Sequence, residues 1–367
     1  MTASQEVIIV GGGAIGAACA RELALRGWKV TLLDDAGVPG IAWRAAAGML
    51  APQIEAAAED PGFELALAGR ERYREIVGPL EEATGISLGF WQEGIARLAM
   101  DEEDVAELKQ RVAWQRQQGH VCDWFDEEEA RNRWPWAGKN FGVLWAPHEA
   151  ALEPVQLVEA LLEDARRHGA RVVNDKVYAL QRRGDRVTGV VGGERYEADH
   201  TIIAAGAWSP AIGGLPRPLP VVPIRGQMAA LPWPEGVDRG IVYGKHSYIV
   251  ARGTEAIAGS TMEHAGYSAD VTPAGLAHIF TSVSAVCPAL AKLDVIRTWA
   301  GLRPVTPDGL PIIGREPSTE GLWYATGHGR NGILLAAITG FILSQLLAGE
   351  QPDEDLTPFR PERFFDW

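Results

Sequence analysis

Short apolar runs alternate with a helical pattern at the start of the chain. Residues 7–10 form an uninterrupted apolar run, which is typical of a strand buried on both faces. Residues 14–26 follow with a helical pattern, and a second apolar run occupies residues 30–33. This order predicts a strand, a helix and a second strand, which is how a parallel α/β sheet begins.

The rest of the chain mixes helices and strands without an internal repeat. The predicted helices cover residues 63–84, 102–118, 155–168 and 273–286, the last capped by Thr272 with Pro273 at its first position. Strand signals lie within residues 86–100, at 171–173, 177–180, 187–191 and 201–206, and throughout 221–261. Turns punctuate that last region as they do in an antiparallel sheet, and several prolines between residues 216 and 223 mark the entry into it.

The turn after the first predicted strand is rich in glycine and covers residues 11–16. Gly11 allows the tight turn, Gly13 lets the backbone approach a pyrophosphate, and Gly16 lets the helix pack closely on the strand. Asp34 ends the second strand, where a carboxylate accepts hydrogen bonds from a ribose. The motif predicts a dinucleotide site, and by itself it leaves NAD and FAD both open.

The layout predicts two interleaved domains. Helices and a strand-rich segment interrupt the α/β pattern, which returns near residue 150 and is interrupted again before the chain ends on a glycine turn and a helix. We therefore predict an α/β protein, in finer terms a two-domain α+β arrangement of a Rossmann-type domain and a discontinuous domain built on an antiparallel sheet. The dinucleotide-binding domain is assigned residues 1–85, 150–215 and 297–367, and the substrate-binding domain residues 86–149 and 216–296.

One apolar stretch near the end of the chain is long enough to be compared with a membrane span. Residues 332–349 carry no charge, and their length is at the lower limit for a spanning helix. Thr339, Ser344 and Gln345 interrupt the stretch, and no basic flank follows it. We expect a buried helix, so membrane association is not expected.

Charge and cysteine content exclude several partners. The chain has 34 lysines and arginines against 48 acids, a formal net charge of −14, which argues against a nucleic-acid partner. Cys19, Cys122 and Cys287 lie far apart and form neither a disulfide framework nor a zinc pattern, so no metal site is expected. With no export signal visible at the N-terminus, this composition predicts a cytoplasmic protein.

A second glycine-rich turn, residues 327–332, leads directly into the apolar helix. A helix start presents free backbone N–H groups and the positive end of the helix dipole. A flavin that takes up two electrons develops negative charge, which such a helix start stabilises without a charged side chain. NAD enzymes have no comparable need for a second glycine-rich turn at a helix start, so this turn favours FAD.

Five motifs stand out along the chain: GGGAIGAACARELALRG from residue 11, AAAGMLAPQIEA from residue 45, AAGAWSP at 204–210, PIRGQ at 223–227 and the segment 299–336. Together they resemble the D-amino-acid-oxidase family of FAD flavoenzymes. Within the last, WAGLRPVTPDGLPIIG and GHGRNGILLA, like AAAGMLAP, are most similar to the glycine oxidase branch, which serves thiazole biosynthesis. The resemblance spans nearly the whole chain, and it implies that the dinucleotide-binding domain is an FAD-binding domain.

The resemblance also implies a substrate site. Arg303 is the expected carboxylate anchor, because a guanidinium grips a carboxylate through two parallel hydrogen bonds; from the residue alone, pairing with a structural acid remains an alternative. Tyr248 matches a tyrosine that helps to hold the same carboxylate. Arg330 and Glu55 match residues of the site, and Met262 matches a large apolar side chain that restricts the pocket to small amino acids. No catalytic acid or base is expected.

Cofactor contacts are implied at both ends of the chain. They fall on Gly11, Gly13, Ala14, Ile15, Gly16, Asp34, Asp35, Trp43, Ala47, Gly48, Met49, Val177, Gly206, His328, Gly329, Arg330, Asn331, Gly332, Ile333 and Leu334. Trp43 and Arg44 depart from the serine or threonine that related enzymes carry there, which leaves the local flavin contacts open. Cys287 lies outside the C-terminal motif, so we expect noncovalent FAD.

The implied activity is oxidative deamination of glycine or another small amino acid. Hydride passes from the substrate to the flavin, the imine hydrolyses to glyoxylate or another keto acid and ammonia, and dioxygen reoxidises the flavin to give hydrogen peroxide. The expected partners are therefore a small amino acid and dioxygen. Two alternatives stay open: a D-amino-acid or sarcosine-type dehydrogenase that passes electrons to a carrier, and an FAD-stabilised protein with no catalytic role. Homo-oligomers occur in the family, but no stretch of this chain specifies an interface.

Overall fold

The structure is a computed structural model that describes residues 5–365. Its strands are β1 (Glu6–Val10), β2 (Lys29–Asp34), β3 (Met49–Leu50), β4 (Ile95–Leu98), β5 (Asp123–Phe125), β6 (Val143–Ala146), β7 (Ala150–Ala151), β8 (Arg171–Asn174), β9 (Ala179–Arg183), β10 (Arg186–Val191), β11 (Arg195–Glu197), β12 (His200–Ile203), β13 (Val222–Pro232), β14 (Ile241–Tyr243), β15 (Tyr248–Arg252), β16 (Glu255–Gly259), β17 (Arg297–Val305), β18 (Ile312–Arg315) and β19 (Leu322–Thr326). Its α-helices are α1 (Ala14–Leu25), α2 (Ala42–Ala45), α3 (Pro52–Glu55), α4 (Pro61–Thr84), α5 (Glu102–Gln117), α6 (Glu127–Arg133), α7 (Pro154–Arg167), α8 (Pro273–Val286) and α9 (Gly332–Leu347).

The first glycine turn follows β1, a central strand of a six-stranded sheet in the order β18-β19-β12-β1-β2-β8. The central strands are parallel, and β1 pairs with both β2 and β12. Only β18 runs antiparallel, against β19. The turn after β1 therefore lies at the carboxyl edge of a parallel sheet, where α/β proteins bind nucleotides. The predicted α/β class is confirmed by this sheet and the helices that cover it.

An eight-stranded sheet, in the order β17-β13-β16-β15-β14-β4-β6-β5, makes the second layer. All but one of its strand pairs are antiparallel, as predicted for the 221–261 region; β14 and β4 run parallel. Its longest ladder joins β13 to β17, from Val222↔Val305 to Ala230↔Arg297.

That ladder revises one domain boundary. The sequence-based division assigned residues 297–367 to the dinucleotide-binding domain, but the ladder of β17 lies in the antiparallel sheet, and outside that sheet β17 has one isolated bridge, from Val305 to His328. A strand's sheet is set by its long-range partner, which its own residues do not encode. We propose the same two-domain division with the last boundary moved beyond Val305.

The uncharged C-terminal helix α9 is packed inside the protein between α1 and α4. A Cβ atom on Gly340 would lie 2.6 Å from the carbonyl carbon of Ala18, and one on Gly69 would lie 2.6 Å from the carbonyl oxygen of Leu334. These two glycines therefore let the three helices approach each other closely. The segment Gly329–Leu347 has the length and composition of a membrane span, but 67% of its most apolar window is buried inside the protein. A buried helix was predicted for this stretch.

Where bounds were predicted for an element, most of them lie within about two residues of the observed ones. Thr272 caps α8 as predicted, with its Oγ1 accepting from the backbone N–H of Gly275 at 3.2 Å. The prediction of strands across residues 86–100 was wrong in extent, because only β4 forms there. Trp91 is held outside a named strand by an isolated bridge to Ala151 and by its Nε1–H donated to the carbonyl of Gly94.

Candidate active site

A cavity of about 1110 Å³ runs from the first glycine turn to the antiparallel sheet. Drug-sized ligands occupy pockets of roughly 300–1000 Å³, so this space suits a large cofactor together with a small substrate. All of the substrate-binding and cofactor-binding residues predicted from the sequence line the cavity, with the exception of Gly16. Residues from both ends of the chain therefore meet in one place.

The first glycine turn is shaped by contacts that leave no room for a side chain. Gly11 has φ +107°, and a Cβ there would lie 2.5 Å from the carbonyl oxygen of Ala204. A Cβ on Gly16 would lie 1.9 Å from the carbonyl oxygen of Gly11. Gly16 thus holds α1 against the turn, whereas Gly13 opens towards the cavity, its nearest neighbour being Trp43 Cδ1 at 3.4 Å.

The acid after β2 is tied to the same turn. Asp34 Oδ1 accepts a hydrogen bond from the backbone N–H of Gly12 at 2.8 Å. Asp34, Asp35 and Val177 all line this end of the cavity. This end carries the acid that a ribose hydroxyl requires, so we propose it as the adenosine end of the site.

The second glycine turn brings a helix start to the other end of the cavity. Gly329–Asn331 form a short 3-10 turn that runs into α9, and the first turn of α9 contains no acidic residue. Residues 327–334 all line the cavity. The positive end of the α9 dipole therefore lies at this wall without a side-chain carboxylate in that turn to offset it.

His328 is a neutral part of that wall. It is buried, its Nε2 lies 3.1 Å from Thr339 Oγ1, and burial lowers the pKa of its imidazole to about 3. A buried imidazole with that pKa cannot act as a cation near neutral pH. The favourable electrostatics at this end come from the helix start and not from this side chain.

His328 gives a prediction for acid stability. The folded imidazole gains a proton only near pH 3, whereas an unfolded histidine does so near pH 6.5, so the unfolded chain binds more protons between these values. The stability that depends on this group is therefore complete above about pH 6.5 and is lost as the pH falls towards 3. Urea unfolding of His328→Gln between pH 4 and 7 should show a weaker fall of the unfolding free energy than the wild type. Parallel curves for the two proteins would contradict this assignment.

Arg303 lines the cavity, and its guanidinium has hydrogen bonds but no ion-pair partner among the described residues. Its Nη1 donates to the carbonyl of Thr261 at 3.1 Å, and its Nη2 donates to Ser260 Oγ at 2.7 Å. Among the residues that the structure describes, no carboxylate forms an ion pair with it. The alternative of pairing with a structural acid is therefore not what the structure shows.

Tyr248 and Met262 lie near Arg303 in different ways. Tyr248 is buried, and its hydroxyl lies 3.5 Å from Met228 Sδ. Met262 Sδ lies 3.5 Å from Arg303 Nη1, but the residue is 62% exposed. Met262 therefore lines the cavity at an exposed position. We propose that it limits substrate size at the mouth of the cavity.

Glu55 and Arg330 are partners of each other. Glu55 Oε1 accepts from Arg330 Nη2 at 3.0 Å and from the Tyr243 hydroxyl at 2.8 Å. The carboxylate raises the pKa of Arg330, and burial together with the same carboxylate raises the pKa of Tyr243. The charge of Arg330 is thus balanced by Glu55, unlike that of Arg303, and its role in substrate binding stays a prediction.

Comparison with known proteins identifies the family. The model of the family described as FAD dependent oxidoreductase (DAO) matches residues 6–346 of the chain. The chain belongs to this DAO family. It is an FAD-dependent enzyme of amino-acid oxidation, which confirms the enzyme class and the cofactor expected from the sequence motifs.

Relatives support the same placement over nearly the full chain. The glycine oxidase of Geobacillus kaustophilus is 31% identical over 98% of this chain and 97% of its own length. A crystal structure of glycine oxidase from the same species has a TM-score of 0.91 at 30% identity, covering 97% of this chain and 98% of that one. The bifunctional protein ThiO/ThiG of Trichormus variabilis is 33% identical over 98% of this chain, which spans only 55% of that protein.

The cavity of this DAO-family protein fits FAD. Gly13 leaves open space where a side chain would otherwise stand, and the start of α9 supplies backbone donors at the far end of the cavity. The three cysteines are free and buried, and none of them lines the cavity. We propose that FAD is held noncovalently, with its adenosine at the first glycine turn and its flavin beside α9.

Some cavity residues were not singled out from the sequence. Gly226 lies in the quoted PIRGQ motif, yet only the structure shows that a Cβ there would lie 2.0 Å from Arg303 Nη1. Tyr243 and Arg97 were missed because they are a strand aromatic and a strand cation without a motif of their own. Their location depends on the pairing of β14 with β4, which are far apart in sequence.

Gly226→Ala should displace Arg303 without disturbing the FAD site. The added methyl group occupies the position of the guanidinium, which must shift by about an ångström or more. Displacements of that size cost up to about 100-fold in rate. We expect KM for the amino acid to rise roughly 10- to 100-fold while FAD content stays at the wild-type level. An unchanged KM would show that Arg303 does not depend on this contact.

Proposed function

We propose that this enzyme oxidises glycine or another small amino acid, with Arg303 as the anchor of the substrate carboxylate. One observation carries the proposal: Arg303 lines the FAD cavity, and no carboxylate of the described residues pairs with it. A half-buried guanidinium without a counter-ion is costly, and a substrate carboxylate removes that cost through two parallel hydrogen bonds.

The protein's contribution is positioning. Arg303 and Tyr248 line the same cavity as residues 327–334, so a small amino acid held by them faces the proposed flavin end. His328 is neutral, and Glu55 is already bonded to Arg330 and Tyr243. We therefore assign no side chain of the site as a general acid or base. FAD, when bound, supplies a two-electron acceptor that dioxygen can reoxidise.

The proposed overall reaction balances without a further reactant. Amino acid, dioxygen and water give the keto acid, ammonia and hydrogen peroxide, which for glycine means glyoxylate. Relatives named glycine oxidase support glycine as the substrate. The bifunctional relative named ThiO/ThiG supports a role in supplying thiazole biosynthesis, which we include in the proposal.

A steady-state panel tests the proposal. The holoenzyme is assayed with glycine, sarcosine, D-alanine and D-phenylalanine while hydrogen peroxide and keto acid are measured separately. We expect equal amounts of both products, with the small amines turned over fastest. Keto acid without peroxide in air, restored by an artificial electron acceptor, would establish a dehydrogenase and overturn the oxidase. If none of the four amines is oxidised, the proposed substrate class is overturned.

The cellular setting is also a proposal. The three cysteines are free and buried, which agrees with a reducing compartment, so we propose a cytoplasmic enzyme.

A further inference from the structure

Arg97 is a second cation on the cavity wall without a carboxylate partner. It lies in β4, it is half-buried, and its side chain lines the cavity. Its Nη1 reaches only the carbonyl of Ile54, at 3.4 Å, and none of the described acids pairs with it. Burial and the neighbouring Arg111 lower the pKa of its guanidinium, against smaller opposing effects of Glu107, Tyr243 and Asp104, none of which forms an ion pair with it.

Apart from Arg303, the other arginine and the two lysines of the wall each have a carboxylate within 4 Å; for Lys176 it is Asp35, at 3.9 Å. Arg330 is paired with Glu55 at 3.0 Å. Lys245 is paired with Asp101 at 2.6 Å and with Asp104 at 3.3 Å. Of the arginines that line the cavity within residues 5–365, only Arg303 and Arg97 lack a carboxylate partner.

The two unpaired arginines belong to one wall. Arg97, Tyr243, Tyr248 and Gly259 are directly opposite one another on the neighbouring strands β4, β14, β15 and β16. Residues paired in this way share a face of the sheet. The rings of Tyr243 and Tyr248 are 5.5 Å apart, and Arg303 Nη2 bonds Ser260, the residue after Gly259. Arg97 is thus two strands from Tyr248, so their backbones lie roughly 10 Å apart. The long side chains of Arg97 and Arg303 reach into this space.

We propose that Arg97 forms a second anion subsite, so that the enzyme also accepts small amines that carry two acidic groups. In this proposal one carboxylate binds Arg303 and the other binds Arg97, with the amine between them. The second acid relieves a guanidinium that is desolvated without a counter-ion, as the first acid does at Arg303. This second acidic group belongs either to the substituent on the nitrogen of an N-substituted glycine or to the side chain of an amino acid. The inference deepens the proposed function and rests on it for the position of the first carboxylate.

Binding of molecules that have no amine tests the subsite independently of turnover. Diglycolate and its longer homologue 3-(carboxymethoxy)propanoate are titrated into the holoenzyme beside methoxyacetate, and the change in the FAD absorbance spectrum reports binding. We expect at least one diacid to bind about 10- to 100-fold more tightly than the monoacid, the range of hydrogen bonds to charged groups. Equal affinities for the diacids and the monoacid would overturn the subsite.

Two variants separate an anion subsite from support of the neighbouring helix. Arg97→Gln should abolish the preference for the diacid, and Arg97→Lys should keep part of it. Arg111→Gln is the matched control, because Arg111 also donates to the carbonyl of Ile54, at 3.3 Å, but does not line the cavity and pairs with Glu107. Loss of the preference in Arg111→Gln to the same degree as in Arg97→Gln, or its survival in Arg97→Gln, would show that Arg97 only supports α3.

Substrate tests then identify the carrier of the second acid. The ratio of kcat/KM for iminodiacetate to that for N-ethylglycine measures the acid on the nitrogen, and the ratio for D-aspartate to D-alanine measures the acid on the side chain. At least one ratio should fall about 10- to 100-fold in Arg97→Gln; no change in either would count against the subsite. If the diacids bind as expected but no amine is oxidised, the proposed function fails while the subsite stands.

Discussion

Arg303→Ala is expected to lower kcat/KM for glycine by about 100- to 1,000-fold. Removing one partner of a buried, hydrogen-bonded charge pair costs roughly 2–5 kcal/mol, and here the lost partner is a cation that no carboxylate of the described residues pairs with. The loss should fall mainly on KM, because the carboxylate is held in the bound substrate as well as in the transition state. Steady-state kinetics with glycine, corrected for FAD content, give the result.

Two further variants make that result specific. Arg303→Lys keeps the charge but loses the planar fork, so it should fall between the wild type and the alanine variant. Arg315→Ala removes an exposed arginine from β18, outside the cavity, and should behave as the wild type. If the KM of Arg303→Ala for glycine lies within threefold of the wild-type value, Arg303 is not the carboxylate anchor.

Gly16→Ala is expected to prevent FAD binding by disrupting the protein itself. The new Cβ would lie 1.9 Å from the carbonyl oxygen of Gly11, and backbone at that distance has to move. We expect a loss of about 4 kcal/mol or more in unfolding free energy, which belongs to the extreme end of single substitutions. The apoprotein measured by urea unfolding should show the loss.

Gly13→Ala is the matched comparison in the same turn. Its Cβ meets only Trp43, at 3.4 Å, and points towards the cavity. Apoprotein stability should therefore stay near that of the wild type, while the affinity for FAD falls. If both variants lost apoprotein stability equally, the separate roles of the two glycines would be wrong.

Local patterns predicted those parts of the fold whose signals are contiguous in sequence. The β1–turn–α1–β2 unit rests on apolar runs, glycines and Asp34 within one stretch, and it was found as predicted. The cap of α8 was found because Thr272 and Pro273 are adjacent. The same holds for α9, where hydroxyl and amide side chains inside an uncharged run pointed to burial.

Features that depend on distant partners were not predicted in the same way. The pairing of β17 with β13 joins segments about 75 residues apart and placed Arg303 on the antiparallel sheet. The ion pair of Arg330 with Glu55 spans 275 residues and was not predicted. Neither segment carries a local signal for its partner, because strand propensity reports a half-buried surface and not the identity of the neighbour.

The central claim is that a small amino acid held by Arg303 reduces the bound FAD and that dioxygen reoxidises it. Anaerobic mixing of the holoenzyme with glycine in a stopped-flow instrument, followed by mixing with oxygenated buffer, tests both halves in one experiment. The account predicts that glycine bleaches the flavin absorbance and that oxygen restores it within the turnover time, with one hydrogen peroxide formed per flavin. Flavin that stays oxidised with glycine, sarcosine and D-alanine alike, or reduced flavin that oxygen does not restore, would contradict it.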